Sequence, residues 1–262
     1  MSIIRGFGGS IVRGGSGIAP FTPSLLFSSG EQGAWYDPSD ISTLFQDAAG
    51  ATPVTADGDP VGYMGDKSGN GNHMTQSISA SRPIYKTDGT LHWLYFDGVD
   101  DYMDSDLIDL STGTSALMVQ ARQLISANAS SNISHGGGGG IQEYQRGNGA
   151  PTGLLNTGSI SVVQADDARV PILGKYIVNI QFDSSKVGRL LEIDMQINGF
   201  YPSVDEGGAG DSGSGNLGNY PLSLGQTANM ISFGAILRGG VTSVGDREEV
   251  NEYLAIKSGV TL

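Results

Sequence analysis

Apolar and polar residues alternate along much of the second half of the chain, with the two-residue period of a β-strand that has one buried face. Glycine, proline, asparagine and aspartate interrupt the pattern at short intervals, as they do at turns. The alternating segments are 117–122, 176–183 and 191–198, and further short apolar segments lie at 160–164, 220–224 and 231–238. The pattern therefore predicts half-buried antiparallel strands in a two-sheet sandwich, and it does not fit repeated β-α-β units.

Two short segments have helical spacing instead. The segment 37–45 begins with Asp37 as a cap residue and a proline at the first helical position, and its apolar residues follow at intervals of three and four. The segment 246–259 begins with Asp246 and Glu249, which are spaced like a capping box, and it ends in glycine. We expect the first helix to be short and the second to pack its apolar face on a sheet.

The first 30 residues differ from the rest of the chain, because paired glycines separate short apolar pairs such as Ile3-Ile4. A segment this rich in glycine cannot bury a core by itself. It is either a disordered tail or an arm that becomes ordered on a partner, and its regular apolar residues favour the arm. We therefore predict an anchoring arm over 1–30 and one all-β domain over 31–262, a length that suits a single sandwich.

Composition argues against several classes of partner. The formal net charge is −13, from 14 basic and 27 acidic residues, and this argues against general affinity for nucleic acid or an anionic membrane. No apolar run approaches the ~18 residues of a membrane-spanning helix. The chain has no cysteine, so disulfides and thiolate metal sites are impossible and the fold depends on its core, which is compatible with assembly in a reducing cytoplasm.

The candidate chemistry of the chain concentrates between residues 66 and 102. A loop of sequence DKSGNGNH opens this stretch at 66–73, and its glycines and asparagines predict a tight turn. An aromatic and apolar strand follows at 91–96, and Asp97-Gly98 predicts the turn that ends it. We expect this strand to be buried on both faces and the loop to lie at the edge of its sheet.

Oxygen-bearing side chains in this stretch suggest a calcium site. In the loop they alternate with glycine as in the first half of a calcium-binding loop, although Ser77 stands where an EF-hand has its closing glutamate. The alternative is that Asp66 caps turn amides and binds no metal. We expect no required cofactor, with Ca²⁺ as the one candidate ion. The candidate ligands, if the loop and the later turn meet in space, are Asp66, Ser68, Asn70, Asp97 and Asp100.

The 66–73 loop and the FDGVDDYM motif at 96–103 together resemble the laminin G-like members of the concanavalin A-like lectin/glucanase superfamily. This resemblance covers most of the chain and implies a concanavalin A-like jelly roll of two antiparallel sheets, a fold that hosts many functions. The WYDPSD segment at 35–40 and the glycine-rich arm before it are similar to structural proteins of tailed bacteriophages and prophages.

The phage resemblance implies a virion structural protein, such as a fibre or decoration protein, that is made in the host bacterial cytoplasm and anchored to other virion proteins by the arm. Fibre-like display favours a homo-oligomer, with a trimer preferred by analogy. The lectin-like fold implies attachment to a host surface glycan. The alternatives are a free-standing carbohydrate-binding module and, less favoured, a glycan-degrading enzyme.

Three residues are candidates for carbohydrate contact. Trp35 and Tyr36 are adjacent aromatic residues that can stack on a sugar, although aromatic residues beside a helix start are more often packing residues. His135 precedes the glycine run 136–140, and loops at the end of a sandwich often form its binding surface. A second glycine-rich segment, 207–215, is either a contact loop or a mobile connector.

The segment Glu192-Ile193-Asp194-Met195-Gln196 resembles the Glu-x-Asp-x-Glu strand of laminarinase-type glycoside hydrolases. In that family two glutamates face one cleft, and here Gln196 takes the place of the second. Retaining hydrolysis needs two carboxyl groups about 5 Å apart, and an amide does not exchange protons. We therefore expect no enzyme activity, and we interpret the segment as a strand with a polar, solvent-exposed face.

Overall fold

The computed structural model describes residues 20–126, 130–136, 140–145, 151–156, 160–165, 173–186, 192–208, 216–226 and 228–262. The strands within these ranges pair with antiparallel neighbours and form two sheets that share a common apolar interior. This confirms the all-β antiparallel sandwich that the alternation predicts. In chain order the strands are β1 (Gly33–Tyr36), β2 (Leu44–Phe45), β3 (Tyr63–Met64), β4 (Met74–Thr75), β5 (Ile84–Thr87), β6 (His92–Asp97), β7 (Met103–Asp109), β8 (Ser115–Leu124), β9 (Ser130–His135), β10 (Ile141–Gln145), β11 (Pro151–Asn156), β12 (Ile160–Ala165), β13 (Lys175–Asp183), β14 (Ile193–Ile197), β15 (Val204–Gly208), β16 (Asn219–Leu224) and β17 (Asn229–Gly239).

The first sheet has the strand order β14-β13-β8-β17-β6-β5, and β1 also pairs with β17. The second sheet has the order β15-β12-β11-β10-β9-β16-β7-β4-β3-β2. Residues 229–232 of β17 pair with β6, and residues 235–238 pair with β1 along the same edge. Segments that are far apart in sequence, 33–36 and 92–97, therefore become neighbours along one strand.

Two apolar clusters bury the first sheet on both faces. The larger lies between the sheets and includes Met118, Val178 and Leu222. The smaller lies on the outer face of the first sheet, where Val250 and Leu254 of the C-terminal helix pack. Strands β8 and β13 are buried on both faces as a result, so the prediction of a solvent-exposed face is wrong for them.

The C-terminal helix α1 (Val244–Ser258) confirms the second helical prediction and begins earlier than predicted. Its cap is Ser243, whose Oγ accepts a hydrogen bond from the backbone N–H of Asp246 at 3.1 Å. Gly259 ends the helix in the left-handed conformation, with a φ of 71°. The capping pair is therefore Ser243 with Asp246, and the predicted pair of Asp246 with Glu249 is wrong.

The helix predicted over 37–45 is also wrong. A single 3₁₀ turn at Ile41–Thr43 is followed directly by β2. The backbone N–H of Val54 donates to the carbonyl of Leu44 at 3.0 Å, and that of Gly62 donates to the carbonyl of Phe45 at 2.8 Å. Long-range pairing thus takes the carbonyls that a continuing helix would use.

The described end of the predicted arm packs against the domain. A 3₁₀ turn at Pro23–Phe27 buries Leu26 and Phe27 in the smaller apolar cluster. Arg238 of β17 holds this end by donating to the Leu26 carbonyl at 2.8 Å and by pairing with Glu31 at 2.8 Å. Residues 1–19 lie outside the described residues, so the arm boundary at residue 30 stays a prediction.

Parts of both predicted glycine-rich loops, 137–139 and 209–215, also lie outside the described residues. Within the ranges given above, no helix has the length and apolar character that crossing a bilayer requires.

Candidate functional site

The Asp66 carboxylate accepts hydrogen bonds from the 66–73 loop and from β1, and so holds the two together. Asp66 Oδ1 accepts hydrogen bonds from the backbone N–H groups of Trp35 at 2.9 Å and Ser68 at 2.8 Å. Its Oδ2 accepts from the Ser68 hydroxyl at 2.7 Å and from the backbone N–H of Asn72 at 3.0 Å. Both oxygens are therefore occupied by donors whose positive ends point at the carboxylate.

The asparagines of the loop complete its attachment to β1. The side-chain amides of Asn70 and Asn72 donate to the Gly33 carbonyl at 3.0 and 2.8 Å. The Tyr36 hydroxyl donates in return to the Asn72 carbonyl. These contacts explain the run of small and amide residues. The loop must turn tightly, and its side-chain amides must donate hydrogen bonds to the Gly33 carbonyl of β1.

The predicted calcium ligands are not brought together as one shell. Among the described residues, Asp97 and Asp100 lie with Asp101, and the oxygens of the three carboxyl groups are within 4.8 Å of one another. Asp66 is outside this cluster, and its contacts are those of a residue that caps turn amides. The five candidate ligands are therefore divided between the 66–73 loop and the turn after β6, and calcium binding at either place stays a prediction.

The three predicted carbohydrate residues are buried. Trp35 is 6% exposed, and Tyr36 and His135 are 0% exposed. The Trp35 ring packs edge-on against Tyr253 at 5.8 Å between centroids. His135 Nε2 lies 2.8 Å from the Ile108 carbonyl, and burial lowers the pKa of this histidine. Stacking on a sugar needs an open ring face, so these residues serve packing in this structure and offer no sugar-stacking surface.

The turn that joins β6 to β7 is built from internal hydrogen bonds. The backbone N–H of Val99 donates to Asp97 at 2.8 Å, and that of Asp97 donates to Asp101 at 3.0 Å. Gly98 has a φ of 78°, and a Cβ there would lie 2.6 Å from the Cβ of Asn229, so the close approach requires glycine. The turn is consequently fixed against the start of β17.

Asp101 is the buried member of this turn. It is 5% exposed, whereas Asp97 is half-buried and Asp100 is exposed. Burial, together with the charges of Asp97 and Asp100, raises the pKa of Asp101 to about 6. Three carboxyl groups therefore lie together at this end of the sandwich.

An open cleft lies against the turn. It has a volume of about 530 Å³ and is lined by Val99, Asp100, Tyr102, Asp104 and Gln226, which we call the 99–104 cleft. The turn and the beginning of β7 supply the first four residues, and the connection between β16 and β17 supplies the fifth. The cleft thus combines an aromatic ring, an amide and two carboxylates.

Serine hydroxyl groups hold the two carboxylates of the cleft. Ser81 Oγ donates to Asp100 Oδ2 at 2.8 Å, and Ser223 Oγ donates to Asp104 Oδ1 at 2.6 Å. Such anchoring fixes the carboxylates in place, as a binding site requires. Sequence reasoning selected Asp100 for calcium but missed the other lining residues. The FDGVDDYM motif pointed to this end of the fold, whereas Gln226 comes from a distant segment that carries no motif.

The polar face of the strand that resembles a glycoside hydrolase is largely covered: Glu192 and Gln196 are buried, and the Asp194 side chain is 39% exposed. Arg247 of α1 donates to Asp194 at 2.7 Å and to the Asn179 side chain at 2.9 Å. Asn251 of α1 donates to Gln196 at 3.1 Å. The helix therefore packs on the face on which the paired carboxyl groups of a laminarinase-type enzyme would project, and of the polar face predicted to be solvent-exposed only Asp194 stays partly exposed.

Neither a known protein family nor a curated protein matches the sequence. Several solved structures have a similar fold. One is the botulinum neurotoxin serotype G binding domain, with a TM-score of 0.55, 11% identity, and coverage of 72% of this chain and 48% of that one. Another is the binding domain of Paraclostridial Mosquitocidal Protein 1, with a TM-score of 0.53, 9% identity, and coverage of 72% and 49%.

A third is a structure of botulinum neurotoxin type C, whose cell entry depends on interaction with two ganglioside molecules; its TM-score is 0.52, its identity 11%, and its coverage 73% and 48%. The chain spans about half the length of these neighbours. At this identity the likeness concerns the fold, and with the two antiparallel sheets it confirms a two-sheet β-sandwich.

Proposed function

We propose that this protein is a non-catalytic glycan-binding module and that the glycan binds in the 99–104 cleft. The observation that carries this proposal is the composition of the cleft. Tyr102 offers an aromatic surface for the apolar face of a sugar ring, while Asp100, Asp104 and Gln226 offer acceptors for its hydroxyl groups. A sugar ring has an apolar face that can pack on the tyrosine and hydroxyl groups that can donate to these acceptors.

The dimensions of the cleft fit a small ligand. Small-molecule sites measure roughly 300–1,000 Å³ and combine apolar walls with a few placed polar groups. The volume of about 530 Å³ lies inside this range. The site is formed by loops at the end of a rigid sandwich, where binding surfaces are commonly built.

The structural neighbours support a binding role without assigning a ligand. Two of them are named as binding domains, and the third is described by its interaction with gangliosides. Because this chain spans about half of each neighbour, their ligands do not transfer to it. Gln196 stands where a laminarinase-type enzyme has its second catalytic glutamate, and α1 packs on the same face; both features favour binding over glycan cleavage.

The wider role that we propose is display on a tailed-phage virion, as a fibre or decoration component that attaches to host surface glycans. Its support is the sequence resemblance of 35–40 and of the glycine-rich arm. Deleting residues 1–19 tests this role, because particle incorporation is expected to fail while the domain still folds. Light scattering of the intact chain tests the expected trimer.

Glycan-array binding of the wild type and of Tyr102→Ala tests the binding proposal. The backbone N–H and carbonyl of Tyr102 keep their bonds to Ser81 and Gln76 in this variant, so the turn is retained. We expect Tyr102→Ala to lose binding by tenfold or more. Tyr201→Ala, at a tyrosine that is 56% exposed and does not line the cleft, is the matched control.

Absence of binding by the wild type, or equal binding by Tyr102→Ala, would overturn the proposal. Release of reducing sugar from a bound glycan would show that the module is catalytic, and would overturn that part of it.

A further inference from the structure

We propose that the 99–104 cleft selects saccharides that are uncharged or carry amino groups, and that it rejects acidic saccharides. This inference rests on the proposed function, since it names the class of glycan for the same site. It follows from the balance of donors and acceptors in the cleft.

The cleft has an excess of hydrogen-bond acceptors. Asp100 and Asp104 each use one oxygen to accept from a serine. Among the described residues, no donor contacts the second oxygen of either carboxylate. Ionised carboxylates accept hydrogen bonds and cannot donate them, so a ligand must bring O–H or N–H groups to these positions.

The turn beside the cleft adds further negative charge. Asp97 and Asp101 lie behind Asp100, and their oxygens are within 4.8 Å of its own. None of the lining residues is a lysine or an arginine in the described part of the chain. Arg82, which follows the anchoring Ser81, donates instead to the carbonyls of Gln76 and Ser77 at 3.0 and 3.2 Å.

These features disfavour the binding of a ligand that carries a carboxylate, sulfate or phosphate group. An anionic group is usually recognised by arginine, lysine or several backbone N–H groups, and the cleft places fixed carboxylates there instead. The charge of the whole chain, −13, acts in the same direction at longer range. An ammonium group or a hydroxyl group meets the same carboxylates as a donor and is held by them.

A series of β-1,4-linked tetrasaccharides of glucose, glucosamine and glucuronic acid tests the inference, alongside a broad glycan array that contains all three charge classes. These tetrasaccharides share a backbone and differ in charge. We expect binders on the array to be neutral or amino saccharides. Within the series we expect binding of the acidic member to be weaker by about tenfold or more at low salt. The difference is expected to shrink as ionic strength rises.

Asp104→Asn gives the matched variant. Asparagine retains an oxygen that accepts from Ser223, removes one charge, and leaves the turn untouched. We expect the ratio of the affinity for the neutral tetrasaccharide to that for the acidic one to be several-fold smaller in this variant than in the wild type. Asp106→Asn, at an exposed carboxylate on the same strand outside the cleft lining, is expected to leave the preference unchanged.

The outcomes separate the two proposals. Acidic saccharides that bind as tightly as the neutral ones would overturn the charge selection and leave glycan binding in place. An unchanged preference in Asp104→Asn would also overturn it. Absence of binding to every saccharide would overturn the proposed function, and the charge selection with it.

Discussion

Arg122 and Glu143 form an ion pair in the interior of the sandwich, where both side chains are at most 1% exposed. Arg122 lies on β8 of the first sheet and Glu143 on β10 of the second, so the pair joins the two sheets. The Arg122 guanidinium lies over the Tyr176 ring, 4.6 Å from its centroid. Burial alone lowers the pKa of Arg122, and the neighbouring Glu143 and Tyr176 reverse this and raise it, so the arginine stays charged.

The first prediction concerns this pair. Glu143→Leu or Arg122→Met alone leaves one buried charge without its partner, and we expect each to reduce the free energy of unfolding by about 3–5 kcal/mol. The double variant removes both charges and is expected to recover most of that loss. Urea unfolding of the four proteins measures the coupling. Additive losses in the double variant would contradict the prediction.

The second prediction concerns Asp101 and pH. The pKa of Asp101 is raised in the folded protein to about 6 from 3.8. The folded state therefore holds the proton more tightly than the unfolded state between these values, and the stability due to this group falls as pH rises through that window. We expect Asp101→Asn to be more stable than the wild type by about 1–3 kcal/mol at pH 7.5.

The gain in Asp101→Asn should shrink by more than half at pH 4.5, because the wild-type carboxyl group is then protonated in the folded state. Urea unfolding of both proteins at the two pH values provides the measurement. Asparagine can still accept the N–H of Asp97, so the turn is kept. An equal difference at both pH values would show that the substitution acts through packing instead.

The third prediction concerns the carboxylate of the 66–73 loop. Asp66→Ala removes the acceptor of four hydrogen bonds and weakens the attachment of the loop to β1. We expect a loss of about 2–4 kcal/mol in unfolding free energy, since bonds to a charged group contribute ~1.5–3 kcal/mol each and are not additive. The loss should be the same in millimolar calcium and in a chelator. A loss that appears only with calcium would restore a metal role for Asp66.

The fourth prediction concerns the attachment of α1. Arg247 is 2% exposed and bonds Asp194 and Asn179. Arg247→Ala leaves those groups without their donor, and we expect it to cost about 2–4 kcal/mol. Glu248→Ala, at the exposed neighbouring position, is expected to change the free energy of unfolding by less than about 0.5 kcal/mol. Thermal unfolding of both variants makes the comparison, and similar melting temperatures would contradict it.

Much of the fold follows from local patterns in the sequence. Alternation located β13 and β14, and Asp97-Gly98 located the turn after β6, because these signals depend only on residues near one another. The helix predicted at 37–45 failed because its carbonyls pair with residues 54 and 62. Local propensity had no information about those distant partners.

The candidate site divides in the same way. The FDGVDDYM motif indicated Asp100, and the loop composition offered two roles for Asp66, metal ligand or cap of turn amides, of which the structure shows the capping bonds. Burial of Trp35 and His135, and the contribution of Gln226 to the cleft, depend on segments that meet only after folding. A side chain's exposure is set by its neighbours in space, and a single sequence does not state them.

By itself, the sequence determined the period of its strands, the positions of its tight turns and the end of its last helix, since each is governed by the backbone preferences of a few adjacent residues. Only the tertiary structure decided which faces meet. It placed the helix over the polar face of β14, and it put Arg122 opposite Glu143 between the sheets. The physical reason is that burial and pairing depend on contacts between segments that are distant in the sequence. Alternation shows which residues share a face of a strand, but it does not show which segment packs on that face.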